Sequence, residues 1–164
     1  MAGRITTSPH TEGRVPVPFE SRPGLSRLET YISLSSARAT QESLTGAKAS
    51  ALARAQGLGL PVLPGFAITT SAGARILVEP EALGGPIGES LRLPWDALTQ
   101  NGKLALVVRS SSTAEDGRAS SMAGMFTSVT NVNGWEEFLD AVVEVVTSSR
   151  RVGAATPAPI AVLV

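Results

Sequence analysis

The 164-residue sequence contains no cysteine, which excludes disulfides, thiolate metal sites and cysteine nucleophiles. It holds one histidine, His10, so histidine chemistry has a single candidate. Aromatic residues make up only 4%, and a core must therefore rest on Val, Leu, Ile and Ala. Neither charge sign dominates, because 14 Lys and Arg balance 14 Asp and Glu. A neutral chain without a basic stripe has no field to hold a polyanion, which argues against nucleic acid as a partner. No run reaches the roughly 18 consecutive apolar residues that cross a bilayer. Met1 to Pro9 is polar and lacks the apolar centre of a secretory signal. The expected setting is the cytoplasm, with no membrane partner.

What is present is enough apolar material for one domain: 43% hydrophobic residues and a mean hydropathy of +0.15. Residues 1–25 mix Pro, Gly, Ser, Thr and Arg with no period of 2 or 3.6 and are expected to form a disordered tail. His10 falls inside it and reads as solvated. The folded domain is then expected over residues 26–164. Thr30 to Leu34 alternates like a half-buried strand. An Ala-rich helix is predicted over Gly46 to Gln56, with Ala51, Leu52 and Ala55 as its apolar stripe and Gly57 as its stop. Pro61, Pro64 and Gly65 mark a turn before a β-prone run from Phe66 to Thr70, and Ser71 is the expected cap of a helix reaching about Val78.

Residues 80–102 read as a Pro- and Gly-punctuated connection with a short helix near Ile87 to Leu91. Leu104 to Val108 is a continuous apolar run, expected to be a central strand buried on both faces. A polar loop is predicted from Arg109 to Ser121, and a further strand over Phe126 to Val132. The clearest helix spans Gly134 to Ser149, where Trp135, Phe138, Leu139, Val142, Val143 and Val146 share one face. Asn133 and Glu136 have the spacing of a capping box. Ile160 to Val164 is a strand signal that runs into the last residue, which suggests truncation. Alternating strands and helices without repeats predict an α+β or α/β domain.

Two segments carry candidate chemistry. Gly46-Ala47-Lys48 stands at a predicted helix N-terminus, where unpaired N–H groups and a nearby cation suit phosphate. The spacing is not that of a Walker-type loop, and an exposed lysine on an Ala-rich helix explains the same residues. Arg109-Ser110-Ser111-Ser112-Thr113-Ala114-Glu115-Asp116-Gly117 places an arginine at the end of a buried strand, ahead of four hydroxyl residues and two acids. The guanidinium fork fits phosphate oxygens, and hydroxyls can complete a cradle. A Ser-rich surface loop with Arg109 paired to Glu115 or Asp116 accounts for them equally.

Four segments in order resemble the N-terminal ATP-binding region shared by phosphoenolpyruvate synthase, pyruvate, phosphate dikinase and rifampicin phosphotransferase. They are Gly46 to Leu52, Gly59 to Thr70, Val107 to Asp116 and Ala119 to Gly124, within a resemblance covering about Ser43 to Val164. The resemblance implies the first part of an ATP-grasp nucleotide-binding domain, a mixed α+β sheet incomplete at its C-terminal end. It implies ATP as cofactor, with Lys48, Arg109, Gly124 and Ser128 as nucleotide contacts and Arg109 also as the catalytic residue at the phosphates. Thr113, Glu115 and Asp116 would shape the loop. Ala47 departs from the family's second glycine, Met122 from an aromatic, and Met125 and Phe126 from polar glutamines.

The family's second lobe with its magnesium-holding carboxylates, its phospho-accepting histidine domain and its pyruvate-binding barrel have no counterpart in these residues. Phosphoryl transfer depends on such metal ions, so the resemblance implies an ATP-binding portion of a phosphotransferase that is not catalytically complete alone. In the complete enzyme a phosphoryl group would pass from ATP to a histidine elsewhere. The alternative expectation is a non-catalytic relic or interaction module that needs a second ATP-grasp half or phospho-histidine domain on another chain. Its exposed final strand would serve for edge pairing.

Overall fold

A computed structural model of the chain describes residues 29–112, 127–152 and 160–164. The expected tail over residues 1–25 and the loop from Thr113 to Ser121 lie outside these residues. Five strands form one sheet: β1 (Tyr31–Ser33), β2 (Phe66–Ile68), β3 (Leu106–Ser112), β4 (Ser128–Val132) and β5 (Ile160–Leu163). Their spatial order is β1-β2-β5-β3-β4, and every neighbouring pair is antiparallel. Four helices accompany them: α1 (Glu42–Gly57), α2 (Thr70–Val78), α3 (Pro86–Thr99) and α4 (Trp135–Ser148). The fold is therefore α+β, as the alternation of elements predicts.

The two faces of the sheet are covered differently. Phe66, Ile68, Val108, Val132, Ile160 and Val162 point to one face and meet Ala72, Ile76, Leu91, Phe138, Val142 and Val145 from α2, α3 and α4. Gly73 brings α2 down onto β5, since a Cβ there would lie 2.2 Å from the Ile160 carbonyl oxygen. On the opposite face Ala67 and Leu163 pack against Ala49 of α1 and Leu34. This cover stops short of the β3–β4 end, where Val107 is 43% exposed and Arg109, Ser128 and Thr130 are also exposed. Few as they are, the aromatics among the described residues form one line through the main core. Tyr31 touches Phe66, Phe66 touches Phe138, Phe138 touches Trp135 and Trp135 touches Trp95, with centroids 5.4 to 6.4 Å apart.

Several local expectations are corrected. Residues 86–99 form one helix rather than a connection, with Gly88, Leu91, Trp95 and Thr99 as a buried stripe at helical spacing. Pro94 inside it removes one backbone donor, and the next residue, Trp95, packs edge to face on Trp135. On α1 the buried face is Ala47, Ala49, Ser50 and Ala53, where Ala49 packs on Ala67 and Leu163, whereas Ala51 and Leu52 face outward. The cap of α2 is Thr69, whose Oγ1 accepts from the Ala72 amide, in place of Ser71. Before α4 the carboxylate that reaches back belongs to Glu137, which accepts from the Asn133 amide at 2.8 Å, and the cap itself is Gly134 at φ +84°.

The strand predicted to end at Val108 runs on to Ser112, and exposed Val107 shows that it is not buried on both faces. A bulge in β4 sets Thr130 and Asn131 opposite Val107, with Asn131 at φ +59°. β5 is no edge. It pairs with β2 on one side and β3 on the other, and all four of its residues are buried.

Candidate functional site

The site grows from the crossing of α1 over β3. Gly46 interrupts the helix at φ +76° and ψ 170°, so that the regular helix restarts at Ala47 with its N-terminal end against the strand. Only a residue without Cβ fits, because an added carbon would lie 1.9 Å from the Ser111 carbonyl oxygen. Three residues on, the Ala49 amide donates to Ser111 Oγ at 3.1 Å. One orphan donor of the helix start is thereby satisfied by the strand itself.

This clamp places Lys48 beside the same strand. Its stem is half-buried and its Nζ donates to the Ser110 carbonyl at 3.3 Å. Arg109 is the next residue back along β3. It is exposed on the open face, and its Nε donates to Ser128 Oγ at 3.3 Å. Arg109 and Ser128 are direct cross-strand partners of β3 and β4, so the register itself holds the pair together. Lys48, Arg109 and Ser128 are thus gathered around one short length of β3. Gly124, Thr113, Glu115 and Asp116, named with them from the sequence, lie outside the described residues, as do Met122, Met125 and Phe126.

The sequence reading missed the structural role of the serines. Ser110, Ser111 and Ser112 are all buried in the strand, at 1%, 0% and 1% exposure, where a polar loop was expected. Buried hydroxyls persist when they are hydrogen-bonded, and Ser111 is bonded by α1. The signal that was available is Gly46 itself, a glycine ahead of a lysine at the start of an Ala-rich helix.

Chemically, the cluster offers one ammonium, one guanidinium, a hydroxyl and the positive end of a helix along a solvent-open sheet face. That set suits phosphate oxygens. Among the described residues no group of three or more His, Asp or Glu stands close enough to hold a metal ion. No helix among them is long and apolar enough to cross a membrane.

No curated protein matches the chain. Residues 80–156 match the family model described as pyruvate phosphate dikinase, AMP/ATP-binding domain. The matched stretch carries α3, β3, β4 and α4, and with them Arg109 and Ser128. Lys48 precedes it in sequence but donates to the Ser110 carbonyl, and the neighbouring Ala49 amide donates to Ser111 Oγ. Over that stretch the chain is similar to the AMP/ATP-binding domain of pyruvate phosphate dikinase, and the match supports an ATP-binding region of that kind.

Proposed function

We propose that this chain is the phosphate-contacting part of an ATP-grasp nucleotide-binding domain, with Lys48 and Arg109 as its cationic contacts to ATP. The family match supports an ATP-binding portion of a pyruvate phosphate dikinase-like enzyme. The observation that carries the assignment to residues is the gathering of Lys48, Arg109 and Ser128 on one length of β3 beside an open sheet face. Lys48 supplies a point charge from the half-buried side, and Arg109 supplies planar donors from the open side. Ser128 holds the guanidinium in place and offers a further hydroxyl. Gly124 belongs to the same proposed contact set through the family motif.

Within a complete enzyme of this kind, Arg109 would stabilise charge on the transferring phosphoryl group, which then reaches a histidine on another domain. Magnesium would neutralise developing phosphate charge there, held by carboxylates that the described residues do not gather. The proposed setting is the cytoplasm. Calorimetric titration with ATP tests the residue assignment. The full chain should bind with modest affinity and hydrolyse nothing, and Arg109→Ala should weaken binding at least tenfold. Equal affinity in the two proteins, with both folded, would overturn it.

A second reading has this chain act as an interaction module whose other half lies on a separate polypeptide. The exposed Val107 beside Arg109 supports it, since an apolar side chain on an otherwise polar sheet face fits coverage by protein as well as by nucleotide. The proposed docking face is the open one of β3 and β4, because β5 is already paired on both sides.

A further inference from the structure

Beside β1, at the other end of the sheet from Arg109, a cavity of about 430 Å³ opens where β1, the end of α1 and α3 come together. That lies within the roughly 300–1,000 Å³ of pockets that hold small molecules. Tyr31, Pro64, Phe66, Pro94 and Leu98 build its apolar wall. Leu93 stands at the mouth and is 74% exposed. Four of these side chains are rings. Tyr31 and Phe66 meet edge to face with centroids 5.8 Å apart, and the two prolines have almost no side-chain freedom to lose. Such a wall is preformed, and a flat ring system adds further ring contacts to it at low ordering cost.

The polar groups of the wall narrow the ligand class. Among the described residues that line it none is charged, so a phosphate or carboxylate entering it is desolvated without a partner. The Ser33 and Ser35 hydroxyls, also in the lining, are hydrogen-bonded to each other at 2.8 Å. Gln56, in the last turn of α1, lines the cavity as well and is half-buried. Its Oε1 is buried and has no hydrogen-bond partner, the single such side-chain atom among the described residues. A buried acceptor without a donor is unfavourable. The terminal torsion of a glutamine is soft, so the amide can turn its oxygen toward a donor that enters the cavity. A ligand N–H removes the penalty, whereas an oxygen in its place brings a second acceptor and leaves it standing.

We propose that the Tyr31–Phe66–Leu93 cavity binds an uncharged, flat aromatic compound whose ring N–H donates to Gln56 Oε1. The site is separate from the Lys48–Arg109 cluster and does not depend on nucleotide. Indole and benzofuran test it, because they share a shape and differ in N–H against oxygen. Titrated into the full-length, isotope-labelled chain, indole should shift the amide signals of Ser33, Gly65 and Leu98 and the side-chain amide of Gln56. The signals of β4 should stay in place. Benzofuran should shift the same residues but bind at least about threefold more weakly, the effect of one neutral hydrogen bond. Gln56→Leu should abolish that preference while both compounds still bind. Leu93→Asp, which puts a charge at the mouth, should weaken both. The comparison of the two compounds on the unaltered chain stands even where a variant fails to fold. Equal or reversed affinity there overturns the proposal, as does a preference for indole that survives Gln56→Leu. Shifts that map to β3 and β4 instead, or no shift from either compound, overturn it too.

Discussion

Gly46 and Ser111 meet backbone to backbone, so closely that a Cβ on the glycine would lie 1.9 Å from the serine carbonyl oxygen. Everything proposed for Lys48 depends on this approach, because the lysine is two residues further along the same rigid helix. Gly46→Ala must both place a side chain at φ +76° and push α1 off β3. The conformational part alone costs about 1–2 kcal/mol, so urea denaturation should show a loss above about 2 kcal/mol. Gly57→Ala is the control. It has no atom within 4 Å of the added carbon and ends a helix, so its stability should stay within about 1 kcal/mol of the parent. Equal effects at the two glycines would contradict the clamp.

Lys48→Met and Arg109→Ala should each reduce ATP affinity, with little change in folding. Hydrogen bonds to charged groups contribute about 1.5–3 kcal/mol, so each loss should be roughly ten- to hundredfold by calorimetry. The two side chains attach to adjacent residues of β3, through Ser110 and directly. Groups that share a ligand and a support are not additive, and the double variant should fall short of the summed losses by about 0.5 kcal/mol or more. Strict additivity would place the two cations on separate sites.

Ser128 holds Arg109 through a 3.3 Å contact at an exposed position. Ser128→Ala should leave the melting transition within about 0.5 kcal/mol of the parent, as surface substitutions do. Its effect should show on nucleotide binding instead, as a severalfold loss that largely vanishes in an Arg109→Ala background. A loss that persists there would mean that the hydroxyl contacts ATP without Arg109.

Phe138 is fully buried and joins the aromatic pair at Trp135 to the one at Phe66. Truncating such a side chain costs about 3–5 kcal/mol, against a total of about 5–15 kcal/mol for a typical domain. Phe138→Ala should therefore leave a chain that is largely unfolded, or close to it, at 37 °C, read by tryptophan fluorescence during urea denaturation. A cost below about 1 kcal/mol would mean that the core is far looser than its packing indicates.

How much of this was legible in the residues differs by element. α4 announced itself because Phe138, Val142 and Val146 repeat at helical spacing with no breaker among them. α3 stayed hidden because two positions of its buried stripe are Gly88 and Thr99, which do not read as apolar, and because Pro94 reads as a stop. At the site, Arg109 stood out as a cation at the end of an apolar run. The strand's true length did not, since Ser110 to Ser112 read as a loop until α1 is present to bond Ser111. Ser128 was identified through the family motif, and its pairing with Arg109 follows from a register that no local pattern encodes. The orientation of α1 was misjudged for a related reason. A helix of nearly uniform alanine has no strong stripe, so contact with Ala67 and Leu163 selects its buried side.

Among the described residues, the strand that comes last in sequence is the middle strand in space, between β2 and β3. As the chain is synthesised, β1 with β2 and β3 with β4 are complete well before residue 160 emerges, yet each pair has an inner edge with no partner. Such edges are templates for pairing with other chains. Both of these inner edges are covered by β5, which supplies the ladders to β2 and to β3. Without β5 the sheet is two separate strand pairs, and the Arg109 strand has only one of its two neighbours.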